Sequence, residues 1–253
     1  MAKAESLARW MRTQVSASGS RGLIVELSGS VDSAVVARLA QLACPGAVVG
    51  VRLPSSVESG DAHAQLFAER FSLPTLWLDL GPAREHLIGD VQGALEQLPR
   101  DLRDAAQTNA SPDAAPADAL TPRLRMTILY FLAGALEYLV AGRANRSDMS
   151  VGAFTKHGED AVDLLPLAHA NKAEVIALAR DLNVPDEIIE RAQMSVPATS
   201  DVSVDGAKLT YTELQRYLDE GPEGVSPALA MRIERMIRNS ERKRAPAAMP
   251  EID

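Results

Sequence analysis

Ser28-Gly29-Ser30-Val31-Asp32-Ser33 is the stretch of this chain whose residue types and spacing could do chemistry. Small residues leave backbone N–H groups free to surround a phosphate and let the anion come close, where bulky side chains would block it. A carboxylate beside such a cradle repels its ligand unless a cation lies between them, which makes Asp32 a candidate Mg²⁺ ligand. The same aspartate in a first helical turn would also stabilise a helix N-terminus with no ligand at all. The spacing fits neither G-x-x-x-x-G-K-[ST] nor G-x-G-x-x-G, so the Walker and dinucleotide-binding readings are set aside.

An anion cradle needs a strand to lead in and a helix to lead out. Residues 22 to 27 are a short apolar run and residues 34 to 43 carry an apolar helical pattern, giving strand, turn and helix. Before them, Leu7, Trp10, Met11 and Val15 mark an amphipathic helix. Residues 47 to 53 read as a second buried strand, residues 59 to 71 as a helix capped by Ser59, and residues 75 to 80 as a third strand. Residues 138 to 141 read as a fourth strand, and Asp163-Leu-Leu-Pro-Leu167 as a fifth. Strands alternating with helices imply a parallel sheet. The expected fold is therefore α/β, with one doubly wound parallel five-stranded sheet flanked by helices. In such sheets ligands sit beyond the carboxyl ends of the strands, where the strand order reverses, and the Ser28–Ser33 stretch lies at such an end.

Residues 82 to 103 read as helical, whereas residues 104 to 121 lack apolar periodicity and are rich in Ala, Asp and Pro, the composition of a mobile loop or lid. Pro122 then opens a very apolar helix. Residues 171 to 182 and 227 to 244 read as further helices, the last one basic. The expected organisation is one domain over residues 1 to 244 with a tail at 245 to 253.

At 253 residues and 46% hydrophobic content the chain can bury one sizeable core. Its 26 basic and 34 acidic residues give a formal charge of −8, which argues against a nucleic-acid partner. No run approaches the 18 or so apolar residues of a membrane span and no signal peptide opens the chain, so a cytoplasmic protein is expected. The one cysteine, Cys44, ends the first apolar helical pattern before Pro45-Gly46 and reads as a buried, inert thiol. Four scattered histidines suggest neither a zinc site nor a nucleophile triad.

The loop resembles the Ser-Gly-Gly-x-Asp-Ser pyrophosphate loop of the ATP pyrophosphatases (adenine nucleotide alpha hydrolase-like fold), with Ser30 in place of the second glycine. Four further stretches resemble motifs of the NAD synthetases in order and spacing. Thr121-Pro-Arg123-Leu-Arg125-Met126 resembles Gln-Ala-Arg-x-Arg-Met, and Gly142-Arg-Ala-Asn145-Arg146-Ser147-Asp148 resembles Gly-Thr-x-Asn-Lys-Ser-Glu. Phe154-Thr155-Lys156-His157-Gly158-Glu159 resembles Phe-Thr-Lys-Tyr-Gly-Asp. Asp163-Leu-Leu-Pro-Leu167 with Lys172-Ala-Glu-Val resembles Asp-Leu-x-Pro-Leu and Lys-x-Gln-Val.

The resemblance implies an ammonia-dependent ligase that adenylates a carboxylate, most simply deamido-NAD, releases pyrophosphate, and gives NAD when ammonia displaces AMP. It implies ATP contacts at Ser28, Gly29, Ser30, Val31, Asp32, Ser33, Arg125, Lys172 and Ser195, with Asp32 and Lys172 catalytic. It implies Mg²⁺ on Asp32 and Asp148, and deamido-NAD contacts at Phe154, Thr155, Lys156, Glu159 and Asp163. A homodimer is implied as well. The chain has no room for a glutaminase, so nitrogen would come from free ammonia or a separate glutaminase partner. The departures at Ser30, Pro122, Arg143, Arg146 and residues 158 to 161 and 192 to 205 gather in the expected ligand loops. They motivate two alternatives: a ligase acting on another carboxylate, and a catalytically weak nucleotide-binding paralogue.

Overall fold

The computed structural model describes residues 1 to 55, 61 to 108, 117 to 192 and 209 to 250. The chain opens with α1 (Ala2–Ser18), whose Ala4, Ala8, Met11 and Val15 are buried at helical spacing while Trp10 stays exposed. Gly19 ends it in the left-handed conformation that glycine adopts without a Cβ penalty. Then follow β1 (Gly22–Glu26), α2 (Val31–Ala43), β2 (Val48–Arg52), α3 (Asp61–Arg70) and β3 (Thr75–Trp77). After α4 (Gly81–Leu95), α5 (Arg100–Thr108) and α6 (Leu120–Leu136) comes β4 (Tyr138–Ala141). The chain finishes with α7 (Arg146–Val151), α8 (Lys172–Asp181), α9 (Asp186–Ala192), α10 (Tyr211–Glu220) and α11 (Pro227–Arg244).

The strands form a parallel sheet in the order β3-β2-β1-β4. Side chains alternate between its faces, as the two-residue period of a strand demands. Leu23 and Val25 enter one core with α1, α2, α8 and α9, while Ile24 enters a second core with α6. Ile24 stands in register with Val49 on one side and Val140 on the other, which makes it the middle of the sheet. Helix α2 lies between the sheet and α1, so nearly all its residues are buried. That is why its sequence is apolar all round rather than on one stripe.

The fifth strand does not form. Leu164 makes a single parallel bridge to Ala141, with the Leu164 carbonyl accepting from the Gly142 N–H at 2.8 Å. Asp163 and Leu164 both donate to the Val140 carbonyl. Pro166 then has no N–H to extend a ladder, and the chain turns, with Ala168 N bonded to the Leu165 carbonyl and Ala170 N to that of Leu167. The sheet therefore has four strands among the described residues.

Helix α5 runs to Thr108, so the segment expected to be loop from residue 104 begins as helix. Residues 109 to 116 lie outside the described residues, and α6 has begun by Leu120. Helix α4 has no buried residue, and α6 leaves Phe131 73% exposed. A third core joins Val151, Leu209, Leu214 and Ile233 and so locks α7, α10 and α11 together. No described helix is long and apolar enough to cross a membrane.

Candidate active site

From β1 the chain steps to β2 and β3 on one side, then returns to lay β4 on the other side of β1. The strand order thus reverses between β1 and β4, the place where an open α/β sheet leaves a crevice at its carboxyl end. The Ser28–Ser33 stretch leaves β1 at that end, and the segment Gly142–Asp148 leaves β4 beside it.

Gly29 takes φ +74°, which only glycine adopts freely. Ser30 is different: its backbone is extended at φ −82° and ψ 155°, and its Oγ caps α2 by accepting from Ser33 N at 3.2 Å. A glycine is therefore not required at residue 30 by backbone geometry, and the serine side chain serves as an N-cap. Ser28, Ser30 and Ser33 hydroxyls converge within 3.1 to 3.3 Å of one another. Val31 is buried in the first core and anchors the loop from behind.

Across the crevice, Asn145 is fully buried and does two things at once. Its Nδ2 donates to Asp32 Oδ1 at 2.9 Å, and its Oδ1 accepts from Asp148 N at 3.1 Å as the N-cap of α7. Lys172, in the first turn of α8, donates through Nζ to Asp32 Oδ2. Tyr211, at the start of α10, donates its hydroxyl to Asp148 Oδ1 at 3.3 Å, and its ring centre lies 5.0 Å from Lys172 Nζ. Asp32 and Asp148 are both buried. Burial, with the charge of Asp32, pushes the Asp148 carboxyl up to about 6 against the pull of Lys172 and Arg143. Burial and the charges of Asp148 and Asp32 likewise push the Tyr211 phenol up, so it stays a neutral donor.

The structure brings Asp32, expected as a cation ligand and ATP contact, together with Asp148, the other expected ligand, and Lys172, the expected phosphate contact. Two hard carboxylates held close enough to repel one another would suit a divalent cation such as Mg²⁺ between them. No group of three or more metal-ligating side chains occurs among the described residues.

A second set of charges lies beside the first. Arg125 Nε, on α6, donates to the Leu53 carbonyl at 3.0 Å and lies 3.6 Å from Glu26 Oε1. Glu26, Arg125, Arg143 and Glu159 line one small cavity with Gly142 and Gly158. Arg143 Nε is buried without a hydrogen-bond partner. Burial pulls the Arg143 guanidinium down, but Glu26, Glu159, Asp32 and Asp148 outweigh it and the net shift is upward.

The five residues expected to meet the acceptor are brought near this cavity in part. Glu159 Oε2 accepts from Thr155 N at 2.8 Å and closes the Phe154–Glu159 turn. Phe154 is buried, and Lys243 of α11 donates to its carbonyl and to that of Gly152, both at 2.9 Å. Asp163 accepts from Val140 N at 2.7 Å and from the Tyr130 hydroxyl at 3.2 Å, so it braces β4 against α6. Lys156 instead places its ammonium on the carbonyls of Arg242 and Ala245, at the end of α11. Ser195 lies outside the described residues. Cys44 is buried and free at the end of α2, and burial pushes its thiol up.

The NAD synthase family model matches residues 3 to 247. The chain belongs to the NAD synthase family. An NH(3)-dependent NAD(+) synthetase of Carboxydothermus hydrogenoformans is 35% identical over 251 residues, covering 99% of this chain and 96% of the relative. Among solved structures, NMN synthetase from Francisella tularensis is similar with TM-score 0.78 and 25% identity, covering 99% of this chain and 98% of that one. NH3-dependent NAD synthetase from Campylobacter jejuni gives TM-score 0.77 at 20% identity, covering 98% and 97%, and shows the same fold.

In this NAD synthase chain, two residues that touch the cluster have no role that sequence pattern assigns. Asn145 was visible in its motif but carried no role, because its bridge to Asp32 spans 113 residues. Tyr211 belongs to no recognisable motif, although Thr210 and Glu213 form a capping box that marks a helix start at that point.

Proposed function

We propose that this NAD synthase family member is an ATP-dependent, amide-forming ligase that converts the carboxylate of deamido-NAD to the amide of NAD. The observation that carries the reading is the gathering of Asp32, Asn145, Asp148 and Lys172 beside the Ser28–Ser33 loop, at the sheet's switch point. A carboxylate oxygen attacks the α-phosphorus of ATP, the bond to pyrophosphate breaks, and an acyl adenylate forms. Ammonia then adds to the acyl carbon, AMP leaves with the C–O bond electrons, and a proton is lost to give the amide.

The residues divide this work by charge. Backbone N–H groups of the loop and of the first turn of α2 receive the pyrophosphate. Lys172 offsets negative charge developing on the phosphates, where a fixed cation in a buried site acts most strongly. Asp32 and Asp148 would hold Mg²⁺, which supplies Lewis-acid stabilisation of the phosphate oxygens when bound. Arg125 faces the nucleotide, and the Phe154–Glu159 turn serves the acceptor through Glu159, which lines the small cavity beside Arg125; Lys156 and Asp163 would have to leave their present partners to join it. Free ammonia or a separate glutaminase supplies nitrogen, a reading supported by the NH(3)-dependent relatives.

The exposed apolar residues of α4 and α6, among them Val91 and Phe131, support a homodimer formed through these helices. The test of the main reading is direct: purified protein with Mg-ATP, deamido-NAD and ammonium should yield AMP, pyrophosphate and NAD in equal amounts. The likeness to the Francisella tularensis NMN synthetase favours one second reading, in which the acceptor is the mononucleotide acid whose amide is NMN. Competition between the two acids for limiting enzyme separates them, because the preferred acceptor has the higher kcat/KM.

A further inference from the structure

Tyr211 stands at a helix end that is held from three sides. Thr210 and Glu213 form a capping box around it, Leu214 is fully buried in the third core, and Asp219 accepts from Arg146 of α7 at 3.2 Å. The side chain therefore reaches the crevice from a rigid base. Its hydroxyl meets Asp148 and its ring face meets Lys172, two residues carried by different helices. Among the described residues, no other side chain donates to Asp148.

A neutral phenol is well suited to orient a carboxylate that must later meet a cation. A lysine or arginine in its place would compete with that cation for the same charge. The ring adds a different service. Lys172 otherwise rests on Asp32, and when a cation draws Asp32 away the π face keeps the ammonium in place to meet the phosphates.

We propose that Tyr211 is a positioning residue of the active site, fixing the Asp148 carboxylate for the cation and retaining the Lys172 ammonium when Asp32 turns to that cation. The inference rests on the reading of Asp32 and Asp148 as the cation's ligands, and goes beyond it in assigning the partner that orients them.

The test is Mn²⁺ titration of the full chain with a non-hydrolysable ATP analogue, free Mn²⁺ being read by electron paramagnetic resonance, on the wild type and three variants. Melting curves confirm that each variant is folded. Tyr211→Phe keeps the ring and should weaken Mn²⁺ binding about 10-fold, the lower end for loss of a group supporting a metal ligand. At saturating Mn²⁺ the same variant should hold the analogue as the wild type does. Tyr211→Leu should also weaken the analogue, by roughly 2- to 30-fold, the range of a cation–π contact. Asp148→Asn is the control for the underlying reading. If it loses Mn²⁺ while Tyr211→Phe binds as the wild type, the positioning role is overturned and the cation site stands. Wild-type Mn²⁺ binding by Asp148→Asn overturns both. If the leucine variant fails to fold, the phenylalanine variant still decides the role of the hydroxyl.

Discussion

Asn145 Nδ2 donates to Asp32 Oδ1 at 2.9 Å, joining the loop after β1 to the N-cap of α7 through one buried side chain. Because the oxygen of the same side-chain amide accepts from Asp148 N, one residue ties the Asp32 carboxylate to the backbone that carries Asp148. Asn145→Ala should lower stability by about 1 to 2 kcal/mol through the lost cap and the unpaired buried Asp32 oxygen, and should cut kcat about 100-fold. Asn145→Asp retains the capping oxygen but adds a third carboxylate, so it should lose activity with less loss of cap stability. Thermal melts alongside steady-state AMP release check both.

Lys172→Met removes the cation from Asp32 while keeping the length of the stem. Both partners are largely buried, and stranding one member of such a pair costs on the order of 3 kcal/mol. The variant should melt earlier and lose about 100- to 1000-fold in kcat/KM for ATP. Wild-type kcat/KM in a folded Lys172→Met protein would remove Lys172 from the phosphate site.

Asp148 sets a pH dependence. Its native carboxyl titrates at about 6 against 3.8 for an unperturbed one, because of burial and the neighbouring Asp32. Native protein thus holds this proton more tightly than unfolded protein between about pH 4 and pH 6, and its contribution to stability falls as pH rises through that window. The difference is on the order of 2 to 3 kcal/mol. In metal-free buffer the melting temperature of the wild type, relative to Asp148→Asn, should decline from pH 4 to pH 6 and level off above. Adding Mg-ATP should reverse the decline, since the cation favours the ionised form.

Ser30→Gly restores the glycine expected of this loop. The extended backbone at residue 30 accepts either residue, so the change costs a few tenths of a kcal/mol in capping. It opens room where a phosphate approaches, and KM for ATP should fall. An unchanged or higher KM would mean that the Ser30 hydroxyl itself helps to hold the nucleotide.

Phe131→Asp and Val91→Glu place charges on the exposed apolar sides of α6 and α4. Both should weaken the proposed homodimer, lowering the mass seen in light scattering toward that of a single chain, with the helical signal retained. A wild-type chain that is monomeric at tens of micromolar would exclude this interface.

Much of this arrangement could be read in advance because it is local. The turn after β1, the first four strands and the basic helix α11 each announce themselves through short-range pattern, and Asp32, Asp148 and Lys172 fall in recognisable motifs. The fifth strand failed on Pro166, whose missing N–H outweighs the apolar character of its neighbours. Helix α5 runs on through residues 104 to 108 of the segment read as loop, showing that absence of an apolar stripe does not by itself end a helix. Asn145 and Tyr211 were hidden for a different cause: each acts on a side chain far away in sequence, and a motif names the residue types without naming whom they touch.

The sheet order carries a consequence for how the protein comes into being. The last strand, β4, docks against the first, so the first strand waits through more than a hundred residues of synthesis before its far edge is covered. Until then Asp32 lacks both Asn145 and Lys172, and the carboxylates proposed to share a cation are not yet held together. Assembly of the proposed site is thereby tied to completion of the topology, since a chain cut short of β4 and α8 carries neither Asn145 nor Lys172.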